Sequence, residues 1–183
     1  MNFLDDKINS LNLKAIESDQ CHNLGFELLS HNFGIKRFES VSVKHLFPEA
    51  FALNQSDVLL FVILLSRKSA RLFEALKNYA IFGQGILHIE NLKNKLLSTT
   101  DDSINFNLCL AAISSFTDDY EKADVFSKIK TSASSTTKFF TDFPVMSKSR
   151  ISNSALKFGV LLPLTANRPS KFTSSLNKTK EAI

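Results

Sequence analysis

Residues 56–83 read SDVLLFVILLSRKSARLFEALKNYAIFG, and their two halves differ. Val58 to Leu65 is apolar at every position. A segment apolar all round has no solvent face, so it belongs in the middle of a core. Beyond it, Leu72, Phe73, Leu76, Tyr79 and Ala80 recur at the spacing of one helical face. Arg67, Arg71, Glu74 and Asn78 fall on the other face. Ser56 or Asp57 offers an N-cap and Gly83 a C-terminal stop. The pattern predicts one helix over 57–82, about 40 Å long at the usual rise per residue, as the spine of the fold.

Weaker helical signals flank this spine. Leu4, Ile8, Leu11 and Ala15 predict a helix over 2–16, with Asp5 and Asp6 in its first turn. A second helix opens near Ser18 and ends at Gly34. Cys21, Leu24 and Leu28 form one apolar stripe on it, and Phe26, Leu29 and Phe33 another. The stretch around Phe38, Val41 and Val43 fits a short strand or a helix. Pro48 suits the first turn of a helix. After Gly83 and Gly85, the stripe Ile86, Ile89, Leu92 and Leu96 predicts a helix folded back on the spine. A further helix is expected over DDSINFNLCLAAISSF, where Ile104, Phe106, Leu108 and Leu110 also alternate as in a strand, and another from Asp118, with Glu121 as its capping partner, to about Lys130.

Bulk composition agrees with this pattern. The chain has 183 residues, 44% of them hydrophobic, with 5 Gly and 4 Pro. So few chain breakers disfavour the many tight turns of a β-sandwich. Phe is frequent at 17 and fills a core with large area per residue. The expected fold class is all-α: roughly five to seven helices around the long central helix. The helical core spans 1–130, and a basic Ser/Thr-rich arm with apolar docking segments spans 131–183.

Cys21 and Cys109 form no CxxC pair and sit among apolar residues, so both read as reduced and buried. The first ten residues carry acids and no long apolar run, unlike a signal peptide. The longest apolar run, Val58–Leu65, is far short of the roughly 20 residues a membrane span needs. The expected setting is cytoplasmic or another reducing intracellular compartment, with no transmembrane segment.

Catalytic motifs are missing from the sequence. His22, His31, His45 and His88 include no i, i+4 pair and no HExxH. GQG at 83–85 lacks the lysine of a phosphate loop, and no GxSxG occurs. The acidic doublets Asp5–Asp6, Asp101–Asp102 and Asp118–Asp119 each fall at an expected helix start, where capping accounts for them. The expectation is therefore a non-enzymatic protein without catalytic residues, metal or cofactor.

Charge distribution carries the functional signal. Residues 1–127 hold 12 Lys+Arg against 16 Asp+Glu, a net of −4. Residues 128–183 hold 10 against 2, a net of +8. Such an asymmetry points to an arm for a polyanion or an acidic surface. The candidate nucleic-acid contacts in the arm are Lys128, Lys130, Lys138, Lys148 and Arg150, then Lys157, Arg168, Lys171, Lys178 and Lys180. Arg67, Lys68 and Arg71 on the spine join them as a clustered cationic face. Interleaved phenylalanines can stack on unpaired bases.

Thr131 to Thr137 reads as a hinge. Phe139, Phe140 and Phe143, then Leu156, Phe158, Leu161 and Leu162, read as docking anchors, on the body or on a neighbouring subunit. The leading expectation is an assembly protein contacting RNA or single-stranded DNA through this arm, homo-oligomeric and nucleocapsid-like by analogy. The alternative is an adaptor, inhibitor or secretion-type chaperone whose arm engages an acidic protein partner.

Overall fold

Every side chain from Asp57 to Leu65 is buried, as a segment with no polar face requires. The structure, a computed structural model, describes residues 16–35, 42–81, 83–98, 104–116, 136–141 and 151–163. The expected helices before Ile16 and after Asp118, the alternation at Phe38 and Val41, the three acidic doublets and most of the hinge lie outside those residues. The described elements are helices α1 (Ser18–Phe33), α2 (Gln55–Leu65), α3 (Ala70–Ile81), α4 (Gln84–Leu97), α5 (Ile104–Ser115) and the short α6 (Asn153–Leu156). Two-residue strands β1 (Thr137–Lys138) and β2 (Val160–Leu161) pair in parallel. The fold is all-α, with this one small strand pair added.

The expected spine is two helices rather than one. After α2 the chain tightens into a 3₁₀ turn, Ser66–Lys68, and Ser69 is extended at φ −146° and ψ 102°. The physical reason lies in the residues themselves. Val58–Leu65 must be covered on all sides, whereas α3 must keep one face in water, and polar residues 66–69 separate the two demands. Ser66 is fully buried, and its Oγ donates to the Ile63 carbonyl at 2.6 Å, a local bond that competes with helix continuation. Arg67 and Arg71 therefore do not share one helical face.

Caps explain the remaining boundaries. The N-cap of α1 is Glu17 rather than Ser18, and Gln20 completes a reciprocal capping box with it. Gly34, at φ 66°, closes α1 as expected, because a left-handed residue there carries no Cβ penalty. The N-cap of α2 is Asn54 rather than Ser56 or Asp57. Its Oδ1 accepts from the Asp57 N–H at 3.0 Å, and its Nδ2 donates to the Asp57 carboxylate at 2.7 Å. Buried Asp57 also meets Lys95 of α4 at 3.3 Å. Pro48 opens a 3₁₀ turn to Ala52. Where a strand or helix was expected at Val43, the chain turns over Lys44–Leu46. The Glu27 carboxylate holds that segment by accepting from Ser42 Oγ and the Val43 N–H.

Around α2 pack α1, α3, α4 and α5. The buried stripe of α1 is Cys21, Leu24, Gly25, Leu28 and Leu29. On α3 it is Leu72, Phe73, Leu76 and Ala80, and Tyr79 is only half-buried. On α4 the stripe runs Ile89, Leu92, Lys93 and Leu96, while Ile86 is 43% exposed. Gly85 sits so close to α3 that an added Cβ would meet the Tyr79 carbonyl oxygen at 1.7 Å. No side chain fits there, which is why the helix pair turns at GQG. In the described part of DDSINFNLCLAAISSF the chain is helix, as expected, rather than strand: α5 is buried almost all round. No described helix is long and apolar enough to cross a membrane.

The described parts of the expected arm belong to the same core. Phe139, Phe140, Ala155, Phe158, Val160 and Leu162 join one hydrophobic cluster with α1 to α5. Thr137 pairs with Val160 and Lys138 with Leu161. The Phe139 N–H donates to the Leu161 carbonyl at 3.1 Å, and the Ser152 N–H to the Leu162 carbonyl at 2.8 Å. Phe139 lies 5.1 Å, and Phe140 5.6 Å, from the Phe73 ring, and Phe116 is 5.4 Å from Phe73 on another side. These anchors land on the chain's own body.

Candidate functional site

Residues 66–69 break the spine at a point where α1, α3 and the 136–141 segment converge. Arg67 Nε donates to the Phe139 carbonyl at 2.9 Å, and the Arg67 carbonyl accepts from the Thr141 N–H at 3.2 Å. Lys68 Nζ donates to the Ile16 carbonyl, which also receives the Cys21 thiol at 3.8 Å. Ser69 Oγ caps α3 by accepting from the Leu72 N–H at 3.2 Å. It also meets His22 Nδ1 of α1 at 2.9 Å. Three consecutive polar residues, Arg67, Lys68 and Ser69, thus tie three segments together.

Burial sets the electrostatics of this corner. It lowers the Arg67 guanidinium from its ordinary value, with Cys109 opposing, but the side chain stays cationic. Cys109 is fully buried, and that burial pushes its thiol well up, with Arg67 pulling the other way. A thiol so held is not a nucleophile. His22 is lowered first by burial and then by repulsion from Arg71, while Asp19 opposes both. Phe26 covers its ring at a centroid distance of 4.8 Å. A serine touching a histidine supplies two parts of a nucleophilic site. Here the serine oxygen serves as the cap of α3, which makes the contact a structural tie.

A second polar group lies at the α3–α4 turn. Tyr79 hydrogen-bonds His88 Nδ1 across the turn, and Phe33 of α1 packs against both rings at 5.1 and 5.4 Å. Burial pushes the Tyr79 phenol up to about 12. His31 and His45 are exposed, and His31 packs against Phe51. Among the described residues no three His, Cys, Asp or Glu side chains gather as a metal site needs.

The expected nucleic-acid contacts divide. Arg67 and Lys68 are half-buried and turned to backbone carbonyls, whereas Arg71, Lys138 and Lys157 are exposed. Lys128, Lys130, Lys148, Arg150, Arg168, Lys171, Lys178 and Lys180 lie outside the described residues. Among the expected anchors, Phe139, Phe140, Phe158 and Leu162 are buried, Leu161 is half-buried, and Leu156 is 40% exposed. Phe143 lies outside the described residues.

Comparison of the chain with protein-family models, curated proteins and solved structures finds no match. Sequence reasoning missed Ser69 and His22 as a pair, because 47 residues separate them. The available signal was local. A switch from all-round to one-faced apolarity across two serines marks a helix break, and a serine three residues before Leu72 is placed to cap the second helix.

Proposed function

We propose that the protein is a non-enzymatic assembly or interaction protein that contacts RNA or single-stranded DNA through the cations of its C-terminal quarter. The observation that carries this reading is the charge division, −4 over residues 1–127 and +8 over 128–183. Cations dispersed among Ser and Thr favour a phosphate backbone through counterion release and carry no base specificity. Exposed Lys138 and Lys157 lie on the segments packed against the body, and exposed Arg71 adds a cation from α3. The docked anchors give those cations a rigid base. In the same reading the acidic body supplies contacts between copies in a nucleocapsid-like assembly.

The test is binding of a mixed-sequence single-stranded oligonucleotide across a salt series. Affinity should fall linearly on a log–log plot, with a slope of about −0.7 per phosphate contact. Deleting residues 165–183 removes Arg168, Lys171, Lys178 and Lys180 and spares every described residue. The truncated chain should keep its helical circular dichroism and show a shallower slope. Absent binding at low salt, or binding indifferent to salt, sinks the reading.

One observation favours the adaptor alternative. Leu87 is 60% and Ile104 57% exposed, apolar surface that suits a protein partner. Salt-insensitive capture of a protein partner, with no oligonucleotide binding, is the outcome that selects it.

A further inference from the structure

We propose that the outer face of α4 is a self-association surface, on which a second copy of this chain packs its own α4 antiparallel across a two-fold axis. This rests on the assembly reading above and says where the contacts between copies lie. Exposed apolar side chains single out the helix. Among the described residues six large hydrophobic side chains are exposed, and three of them, Ile86, Leu87 and Leu97, stand on α4. By contrast α3 turns Arg71 and Glu74 to water, as a solvated helix face requires.

The order of residues on that face says what covers it. Leu87, Glu90, Asn94 and Leu97 are spaced as the seam between two packed helices is, alternately three and four residues apart. Asn94 is exposed and Glu90 half-buried. The seam therefore runs apolar, acid, amide, apolar. Reversed against itself, it sets Leu87 against Leu97 of the second copy, and Glu90 against Asn94 of the second copy, twice over. The Asn94 amide can donate to the Glu90 carboxylate, so the polar centre of the contact is satisfied. Parallel pairing would set Glu90 against Glu90, a like-charge contact that disfavours that arrangement.

Charge supports the same occupant. Lys93 is an electrostatic neighbour of Glu90 on its own helix, so the carboxylate does not enter the seam as an isolated charge. The body has a net charge of −4, yet α4 holds Lys93 and Lys95 against Glu90 alone. Two copies that meet on α4 do not meet acid to acid. One helix face is smaller than the roughly 800 Å² per partner of a standard interface. The dimer should therefore form and dissociate with concentration.

The experiment uses the full chain, free of nucleic acid, in sedimentation equilibrium over a concentration series. The expected result is a monomer–dimer equilibrium. Leu87→Glu changes a side chain already in water, so it should keep the fold and raise the dimer dissociation constant at least about tenfold. Two cysteine variants and a short thiol–thiol cross-linker read the register, since Cys21 and Cys109 are buried. Asn91 flanks the centre of the seam, so Asn91→Cys should link two copies. Ser98 lies on the same flank but would stand about 18 Å along the axis from its counterpart, so Ser98→Cys should not. A chain that is monomeric at every concentration overturns the proposal. So does a dimer indifferent to Leu87→Glu, or one that Ser98→Cys links as readily as Asn91→Cys. Should Leu87→Glu fail to fold, the two cysteine variants decide. Oligonucleotide binding is read separately. A monomer that binds with the expected salt slope sinks this surface and leaves the nucleic-acid reading standing, whereas a dimer of this register that binds no oligonucleotide does the reverse.

Discussion

Arg67 and Arg71 stand four residues apart, the spacing at which helical side chains share a face. They end in opposite settings. Arg67 is turned inward, its guanidinium on the Phe139 carbonyl, and burial lowers it from the usual arginine value. Arg71 is exposed on the first turn of α3. The 3₁₀ turn at Ser66–Lys68 and the extended Ser69 after it separate them, with one cation turned toward the 139–141 segment and the other left in water. The lesson is that a cluster of basic residues is not one functional unit until the backbone between them is known. The inward cation secures the fold, and the outward one stays in water.

That comparison is broken or sharpened most strongly at the contact Arg67 holds in place. Phe139 is fully buried against Phe73 and Phe140. Phe139→Ala should lower unfolding free energy by about 3–5 kcal/mol in denaturant titration. A loss near zero would mean that the segment is not part of the core. Next comes Arg67→Ala, which leaves the Phe139 carbonyl without its side-chain donor and should cost about 1–3 kcal/mol. Arg71→Ala is the control, and an equal cost for the two removes the distinction between them. The smallest effect on stability belongs to Arg71→Gln, Lys138→Gln and Lys157→Gln. Each should change stability by no more than about 0.5 kcal/mol. Combined, they should flatten the salt dependence of oligonucleotide binding without changing the melting profile. A triple variant that binds with unchanged slope would place the contacts elsewhere.

Much of the helical architecture is legible in the residues. The one-faced repeat of Leu72, Phe73, Leu76 and Ala80, the left-handed stop at Gly34 and the Pro48 turn all follow from local rules, and all appear. So does the helix over Ile104–Ser115, where alternation competed with a buried run. The helix ends were less legible. Glu17 and Asn54 cap where Ser18 and Ser56 or Asp57 were expected, because several polar residues stand at each helix start; at α1 the reciprocal pair Glu17–Gln20 selects among them, and at α2 the Asn54–Asp57 bonds do. Ile86 falls on the expected stripe of α4 yet is exposed, since the close approach at Gly85 sets where α4 begins to be covered.

The polar corner was the least legible feature. Its bonds join Arg67 to Phe139 across 72 residues, Lys68 to Ile16 across 52 and Ser69 to His22 across 47. No local periodicity records such distances. The fate of the arm's anchors was likewise undetermined from sequence. Phe139 and Phe140 required cover, but cover by the body or by a second copy satisfies the same apolar demand.

By itself the sequence determined the helical class, the helix through the centre of the core and the basic C-terminal quarter. Those come from periodicity, all-round apolarity and charge count, which are properties of the chain before it folds. Only the tertiary structure decided that the spine divides at Ser69, that Arg67 and Lys68 face carbonyls rather than solvent, and that Phe139 docks on Phe73. Each of these depends on which distant segment arrives beside a given residue. The free energy of burying an apolar ring or satisfying a carbonyl belongs to that meeting and to neither segment alone.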